Sequence, residues 1–187
     1  MIAAIIIAGG KARRFQGAEK AMILFNGKAL VEHVITSISK QVDLIAINQS
    51  SKLKDYDLPV VADLSDDQCG PIGGLEAAIE WAMAMEPVPE YLLTVPVDTP
   101  FLPLNLVAKL LLAAQQNGAA IASTPTHIQA TISLHKLGHI SAKDIDAYKH
   151  KALRDFWTHV GATQVCFDDE SAFININCPE DIKLYEK

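Results

Sequence analysis

The sequence predicts an α/β fold in which a mostly parallel central sheet is covered by helices on both faces. Short, continuous apolar runs alternate along the chain with longer segments whose apolar residues recur at helical spacing. Strands that are apolar throughout are typical of parallel sheets with helices on both faces. A length of 187 residues, half of them hydrophobic, is that of one globular domain spanning residues 1–187.

The expected elements follow in chain order. Apolar runs of strand length predict buried strands at residues 1–8, 44–47, 60–62, 91–95 and 119–122. Apolar residues three and four positions apart predict helices over 29–38, after Gly73 and Gly74, and from Pro103 onwards. The second half is less regular and predicts an added strand at 130–134, one helix over 144–159 and a strand at 164–167.

Composition excludes several classes of protein. A net charge of -6 without a basic stripe argues against a nucleic-acid partner. The first apolar run is too short to span a bilayer and lacks a basic leader, so it is interpreted as a buried strand of a cytoplasmic protein. Cys69, Cys166 and Cys178 form no CxxC pair, which argues against a disulfide framework or a zinc site. His135 and His139 stand four apart, but the flanking pattern is not helical and predicts no metal site.

The loop after the first strand is rich in positive charge. It opens on Gly9 and Gly10 and then carries four of the sixteen Lys and Arg residues, namely Lys11, Arg13, Arg14 and Lys20. Ligands of parallel sheets collect where such loops leave the strands, and glycines let successive N–H groups face one anion. The net negative charge of the chain would repel a triphosphate, and the positive charges of this loop reverse the sign of the electrostatic potential locally. The alternative is a solvated loop whose glycines only form a turn.

A carboxylate follows the strand at 91–95. Asp98 stands just beyond it, between the prolines at positions 96 and 100. Mg²⁺ prefers hard oxygen ligands, and beside a polyphosphate it needs only one or two of them from protein. Asp98 is therefore a candidate magnesium ligand, and its alternative role is to cap the following turn or helix.

Seven stretches, in this order and spread from Ile7 to Ile182, carry a family resemblance: IAGGKARRFQGAEKA, NGKALVEHV, IAINQ, PVVAD, GPIGGL, PVDTPFLP and NINCPEDI. Together they resemble the molybdenum cofactor guanylyltransferase family, within the nucleotidyltransferase superfamily. The resemblance implies a Rossmann-like three-layer sandwich of the nucleotide-diphospho-sugar transferase type. It implies transfer of GMP from GTP to the terminal phosphate of molybdopterin, with release of pyrophosphate and formation of the guanine dinucleotide cofactor.

The resemblance also implies roles for individual residues. Contacts to GTP are implied for Ile7, Ala8, Gly9, Gly10, Lys20, Asn48, Asp63, Gly70 and Asp98. Catalytic roles are implied for Arg14, Lys20 and Asp98, with Asp98 holding Mg²⁺, or Mn²⁺ as an alternative. Asn175 and Asn177 match the pair at the pterin end. Asn177 has an alternative role as a helix cap, because Glu180 follows three positions later and Pro179 lies in the first turn.

Two other functions stay open at this point. One is a relative that uses CTP, or another acceptor such as a sugar phosphate, by the same mechanism. The other is a nucleotide-binding module without catalysis, which the presence of both Lys20 and Asp98 disfavours. The expected partners are GTP and molybdopterin, together with transient contacts to proteins that deliver or receive the cofactor; neither nucleic acid nor a membrane is expected.

Overall fold

The structure is a computed structural model that describes residues 1–8, 19–49, 56–64 and 70–186. Gly9, Gly10, Arg14 and Cys69 lie outside these ranges. The strands are β1 (Ile2–Ile7), β2 (Leu24–Phe25), β3 (Lys28–Ala29), β4 (Leu44–Asn48), β5 (Val60–Val61), β6 (Tyr91–Pro96), β7 (Ala119–Ser123), β8 (Ile128–Lys136) and β9 (Thr163–Cys166). The helices are α1 (Leu30–Ile38), α2 (Gly70–Met83), α3 (Leu106–Asn117), α4 (Ala142–Tyr148), α5 (Leu153–His159) and α6 (Pro179–Tyr185).

The main sheet has the strand order β5-β4-β1-β6-β8-β7-β9. β5, β4, β1 and β6 are mutually parallel, β9 is parallel to β7, and β8 runs antiparallel to both of its neighbours. In register, Ile7 pairs with Asn48 of β4 and with Pro96 of β6. The carboxyl ends of three adjacent strands therefore meet at one edge, and the expected mostly parallel sheet is confirmed.

Helices cover both faces of this sheet. Ala4 and Ile6 of β1 pack in the same cluster as buried residues of α1 and α3. Ala3 and Ile5 point to the opposite face, where α2 contributes Ala78. Side chains alternate between the two faces of a strand, so a strand that is apolar at every position packs against the helices on both faces of the sheet. None of the helices in the described part of the chain has the length and apolarity needed to cross a bilayer.

The helix expected over 144–159 is wrong as a single element. The chain forms α4 and α5 instead, with Lys151 N donating to Tyr148 O in the turn between them. Each helix serves a different neighbour: Lys149, just past α4, pairs with Glu76 of α2, and Trp157 of α5 donates to the carbonyl of Ala130 on β8. α4 and α5 therefore pack against different neighbours, and the apolar spacing continues across the turn between them.

Two other helices begin elsewhere than expected. α3 begins at Leu106 rather than at Pro103, because the side chain of Gln41 accepts from Val107 N at 3.0 Å and so caps the helix from a distant segment. α2 begins at Gly70, ahead of the two glycines expected to precede it.

A short hairpin, β2–β3, is absent from the expectations. Its turn is Asn26-Gly27, with φ of 48° and 74° at the two residues. Asn-Gly is the strongest short signal for this turn, so the sequence did contain the information. The hairpin buries Phe25, whose ring meets Phe101 edge-on at 5.5 Å, beside the loop that follows Asp98.

His135 makes stability depend on pH. It is fully buried on β8, neither ring nitrogen has a hydrogen-bond partner within the described residues, and burial, followed by the charge of His139, lowers its pKa from 6.5 to about 3. Below pH 6.5 the unfolded chain takes up a proton there and the folded chain does not, so stability falls as pH falls towards 3.

Replacing His135 with phenylalanine should remove this acid sensitivity. Between pH 7.5 and 5, the unsubstituted protein should lose about 2 kcal/mol more of unfolding free energy than His135→Phe. Urea unfolding at both pH values measures the difference, and His150→Gln, at an exposed histidine, is the control. Equal pH dependence in His135→Phe and the unsubstituted protein would contradict the assignment.

Candidate active site

Three side chains meet at the carboxyl edge of the sheet. Lys20 opens a single 3-10 turn, Lys20–Met22, which is anchored by buried Ala21. Lys20 Nζ lies 2.6 Å from Asp98 Oδ2 and donates to Asn177 Oδ1 at 2.8 Å. The Lys20 and Asp98 side chains are 19% and 16% exposed. The ion pair is thus largely, but not completely, buried.

Asp98 is held by two neighbouring segments. Val97 N donates to Ile7 O at 3.0 Å, which ties the exit of β6 to the end of β1. Asp98 O accepts from Ile176 N at 2.8 Å. The segment 175–177 therefore runs alongside the loop of Asp98, and both predicted asparagines lie beside this loop.

The capping role considered for Asn177 is wrong in detail. The N-cap of α6 is Cys178, and the capping carboxylate is that of Asp181 rather than Glu180. Asp181 Oδ2 accepts from Asn177 N at 2.7 Å and from Cys178 N at 2.9 Å. Only the backbone of Asn177 serves the helix, and its side chain faces Lys20.

A second polar group lies at the end of β4. Asn48, only 2% exposed, donates from Nδ2 to Val61 O at 3.0 Å and to Asp63 Oδ1 at 2.8 Å. The Asp63 residue itself is exposed. Asn48 thus fixes the direction in which an accessible carboxylate points.

Gly74 of α2 explains how Asn48 fits. A Cβ built on Gly74 would lie 2.7 Å from Asn48 Oδ1, closer than real Cβ atoms come to other atoms. Only glycine allows the helix to approach this amide, which gives a reason for the cost of glycine inside a helix. From the sequence, Gly73 and Gly74 predict only a helix boundary, and the glycine pair inside an apolar helical pattern is the signal for this contact. Gly70 is the first residue of α2.

Ile7 and Ala8 join the two groups. Ile7 O accepts from Val97 N, on the side of Asp98, and Ala8 N donates to Asn48 O at 3.0 Å. The end of β1 therefore stands between the Lys20–Asp98–Asn177 group and the Asn48–Asp63 group. Gly9, Gly10 and Arg14, which follow along the chain, lie outside the described residues, so their expected contacts stay predictions.

The residues at this edge suit a cation bound together with a phosphate ligand. Across the described ranges no three His, Cys, Asp or Glu side chains gather into a metal cluster. Mg²⁺ needs no such cage, because it usually keeps several waters and takes one or two carboxylates plus phosphate oxygens. Asp98 could supply that carboxylate. His139 Nε2 lies 3.1 Å from Val160 O.

Comparisons with known proteins place the chain among nucleotidyltransferases. The family model described as MobA-like NTP transferase domain matches residues 4–160. The molybdenum cofactor guanylyltransferase of Shewanella frigidimarina is 38% identical over 189 residues, covering 96% of this chain and 92% of that protein. The protein of the same name from Ralstonia nicotianae is 34% identical and covers 94% of this chain and 91% of its own.

Solved structures agree on the fold. Molybdopterin-guanine dinucleotide biosynthesis protein A from Archaeoglobus fulgidus superposes with a TM-score of 0.72 at 19% identity, over 100% of this chain and 97% of that one. A 4-diphosphocytidyl-2C-methyl-D-erythritol synthase from Anaerococcus prevotii reaches 0.70 at 20% identity, over 98% and 93%. At these identities the likeness shows the fold alone, and it confirms the Rossmann-like α/β sandwich. From the family model and the long relatives, the chain belongs to the MobA-like NTP transferase family and is a nucleotidyltransferase.

Proposed function

We propose that this chain transfers GMP from GTP to the terminal phosphate of molybdopterin. The observation that carries the proposal is the ion pair between Lys20 and Asp98, held by Asn177 at the sheet edge where the end of β1 leads to Asn48 and Asp63. This arrangement suits a nucleoside triphosphate, because the Lys20–Asp98–Asn177 group can meet its phosphates and the oriented Asp63 carboxylate can meet its nucleoside. The guanylyl group and the molybdenum cofactor come from the names of the long relatives, and molybdopterin is the acceptor that the sequence resemblance implies.

The reaction joins two anions. An oxygen of the acceptor phosphate attacks the α-phosphorus of GTP, a new P–O bond forms, the bond to the β-phosphate bridging oxygen breaks, and pyrophosphate leaves. Two unit charges of the same sign at 4 Å repel by about 4 kcal/mol at an effective dielectric constant near 20. Positioning and charge neutralisation are therefore the main tasks, since the nucleophile needs no covalent help from protein.

Lys20 neutralises phosphate charge. An ammonium group has three N–H donors, and the contacts to Asp98 and Asn177 use two of them. We assign the third to a phosphate oxygen of GTP. The two protein contacts fix where the ammonium stands before the substrate arrives, so little reorganisation is needed when negative charge develops.

Enzymes of this type generally use a divalent cation, and we assign Mg²⁺, with Mn²⁺ as the alternative, to Asp98. When bound, the cation would neutralise charge on phosphate oxygens. Asp98 can accept this role because the Ile176 and Val97 contacts hold its backbone in place. The Asp98 carboxylate stays beside the Lys20 ammonium, so both groups act on the same phosphate chain.

Asp63 serves the nucleoside end in this proposal. Its carboxylate is exposed and oriented by Asn48 Nδ2. Carboxylate oxygens accept hydrogen bonds from N–H groups of guanine or from ribose hydroxyls. Ile7 and Ala8 would contribute backbone contacts to the nucleotide, and Gly70 would lie close to the guanosine side.

Nucleotide binding and pyrophosphate release test the proposal. In thermal-shift measurements with GTP, CTP, UTP or ATP plus Mg²⁺, GTP at a hundred times its Kd should stabilise the protein by about 2.7 kcal/mol. Larger stabilisation by CTP would overturn the base assignment. With molybdopterin added, pyrophosphate should be released; release only with a sugar phosphate would overturn the acceptor, and binding without release would favour a non-catalytic module.

A further inference from the structure

We propose that Thr99 is a positioning residue that holds the Asn175 side chain by its amide oxygen, so that Asn175 and Asn177 present N–H donors to the acceptor substrate. The inference rests on the proposed function. Thr99 was not among the residues expected from the sequence. Thr99 is the residue after Asp98, and its hydroxyl donates to Asn175 Oδ1 at 2.7 Å.

The contact is unusual because of where its two partners lie. Thr99 has no exposed surface, whereas Asn175 is exposed. Exposed amides commonly bond with water and sample several rotamers, but this one is anchored by a buried hydroxyl. Ile176, next in the chain, is fully buried and its N–H is held by Asp98 O. Backbone and side chain together therefore fix Asn175 against the exit of β6.

Lys20 sets the polarity of the second amide. An ammonium group can only donate, so the Asn177 atom that it meets at 2.8 Å must be the carbonyl oxygen. Both amides thus have their oxygen engaged by protein donors. Asn175 and Asn177 flank a buried residue, an alternation typical of an extended segment, so their side chains share one side.

The chemistry of the ligand follows from this polarity. Within the residues that the structure describes, each asparagine then has its NH2 group left to offer, and an NH2 group binds hydrogen-bond acceptors. The matching atoms of the acceptor substrate are phosphate oxygens or the carbonyl and ring nitrogens of its heterocycle. Thr99 therefore contributes to acceptor recognition without touching the acceptor.

Thr99→Val tests this role, because valine keeps the shape and removes the hydroxyl. We expect the Kd for molybdopterin, measured by titration calorimetry, and its KM to rise about fivefold to tenfold, as for the loss of one hydrogen bond. The KM for GTP should change less than about twofold. Thr99→Ser, which keeps the hydroxyl, should restore both acceptor constants. Unchanged acceptor constants in Thr99→Val, or an equal rise for GTP, would overturn the inference.

Asn175→Ala makes the test independent of folding, because its side chain is exposed. It should weaken acceptor binding as much as Thr99→Val, and Thr99→Val added to it should have no further effect. A further multiplicative loss would overturn the inference. Thr94→Val is the matched control: its buried hydroxyl meets Ser133 at 2.7 Å, and it should leave acceptor binding unchanged. If the unsubstituted protein binds acceptor but releases no pyrophosphate, the proposed function fails while the binding comparison still decides the role of Thr99.

Discussion

Lys20→Ala is expected to lower turnover by about two to four decades, with a much smaller change in the affinity for GTP. The substitution removes a positive charge placed beside Asp98, where phosphate charge develops during transfer. Loss of one preorganised electrostatic stabiliser typically has an effect of this size on kcat. Single-turnover measurements with saturating GTP separate the chemical step from product release.

The control for Lys20→Ala is another lysine in an ion pair. Lys149 pairs with Glu76 at 3.2 Å and with Asp146 at 3.0 Å, and neither carboxylate belongs to the Lys20–Asp98–Asn177 group. Lys149→Ala should leave turnover unchanged, because partly exposed ion pairs contribute only about 0–1 kcal/mol to stability and this pair contains none of the predicted site residues. Equal losses of turnover in the two variants would show that Lys20 acts through stability alone.

Asp98→Ala should lower turnover over a similar range of about two to four decades. Two effects combine in this variant. The divalent cation loses its protein carboxylate, and the Lys20 ammonium, whose side chain is 19% exposed, loses its counter-charge. Binding of Mn²⁺ in the presence of GTP, followed by electron paramagnetic resonance, should weaken in parallel with turnover.

Near-normal turnover of Asp98→Ala at saturating Mg²⁺ would remove this aspartate from the metal role. The matched control is Glu90→Gln, since Glu90 makes a long, exposed pair of 3.9 Å with Lys136. It should change neither turnover nor Mn²⁺ binding. Thermal melting of Asp98→Ala distinguishes a folded, inactive enzyme from an unfolded one.

Local patterns in the sequence predict the parallel part of the sheet and the edge that carries the site. β1, β4 and β6 are continuous apolar runs, and the loops that follow parallel strands meet at one edge whatever the details of packing. Lys20 and Asp98 follow two of these strands, and the structure places Lys20 Nζ 2.6 Å from Asp98 Oδ2. Their roles on GTP stay predictions.

Long-range contacts set the features that the sequence did not predict. Asn177 meets Lys20 although 157 positions separate them, and Gln41 caps α3 from the turn that follows α1. Neither partner can be identified from spacing, because the contacts depend on how irregular segments are laid over the sheet. The break between α4 and α5 has the same origin, since each helix follows a different neighbour. By contrast, the Asn26-Gly27 pair is a local signal that predicts the hairpin.

The central claim is that Lys20 and Asp98 act on the same phosphate chain. A double-mutant cycle on the single-turnover rate of GMP transfer, using Lys20→Ala, Asp98→Ala and the double variant, tests it most directly. If both groups neutralise one phosphate chain, the double variant should be about as slow as the slower single variant. If the rate loss of the double variant equals the product of the two single-variant losses, the two groups act independently and the claim is contradicted.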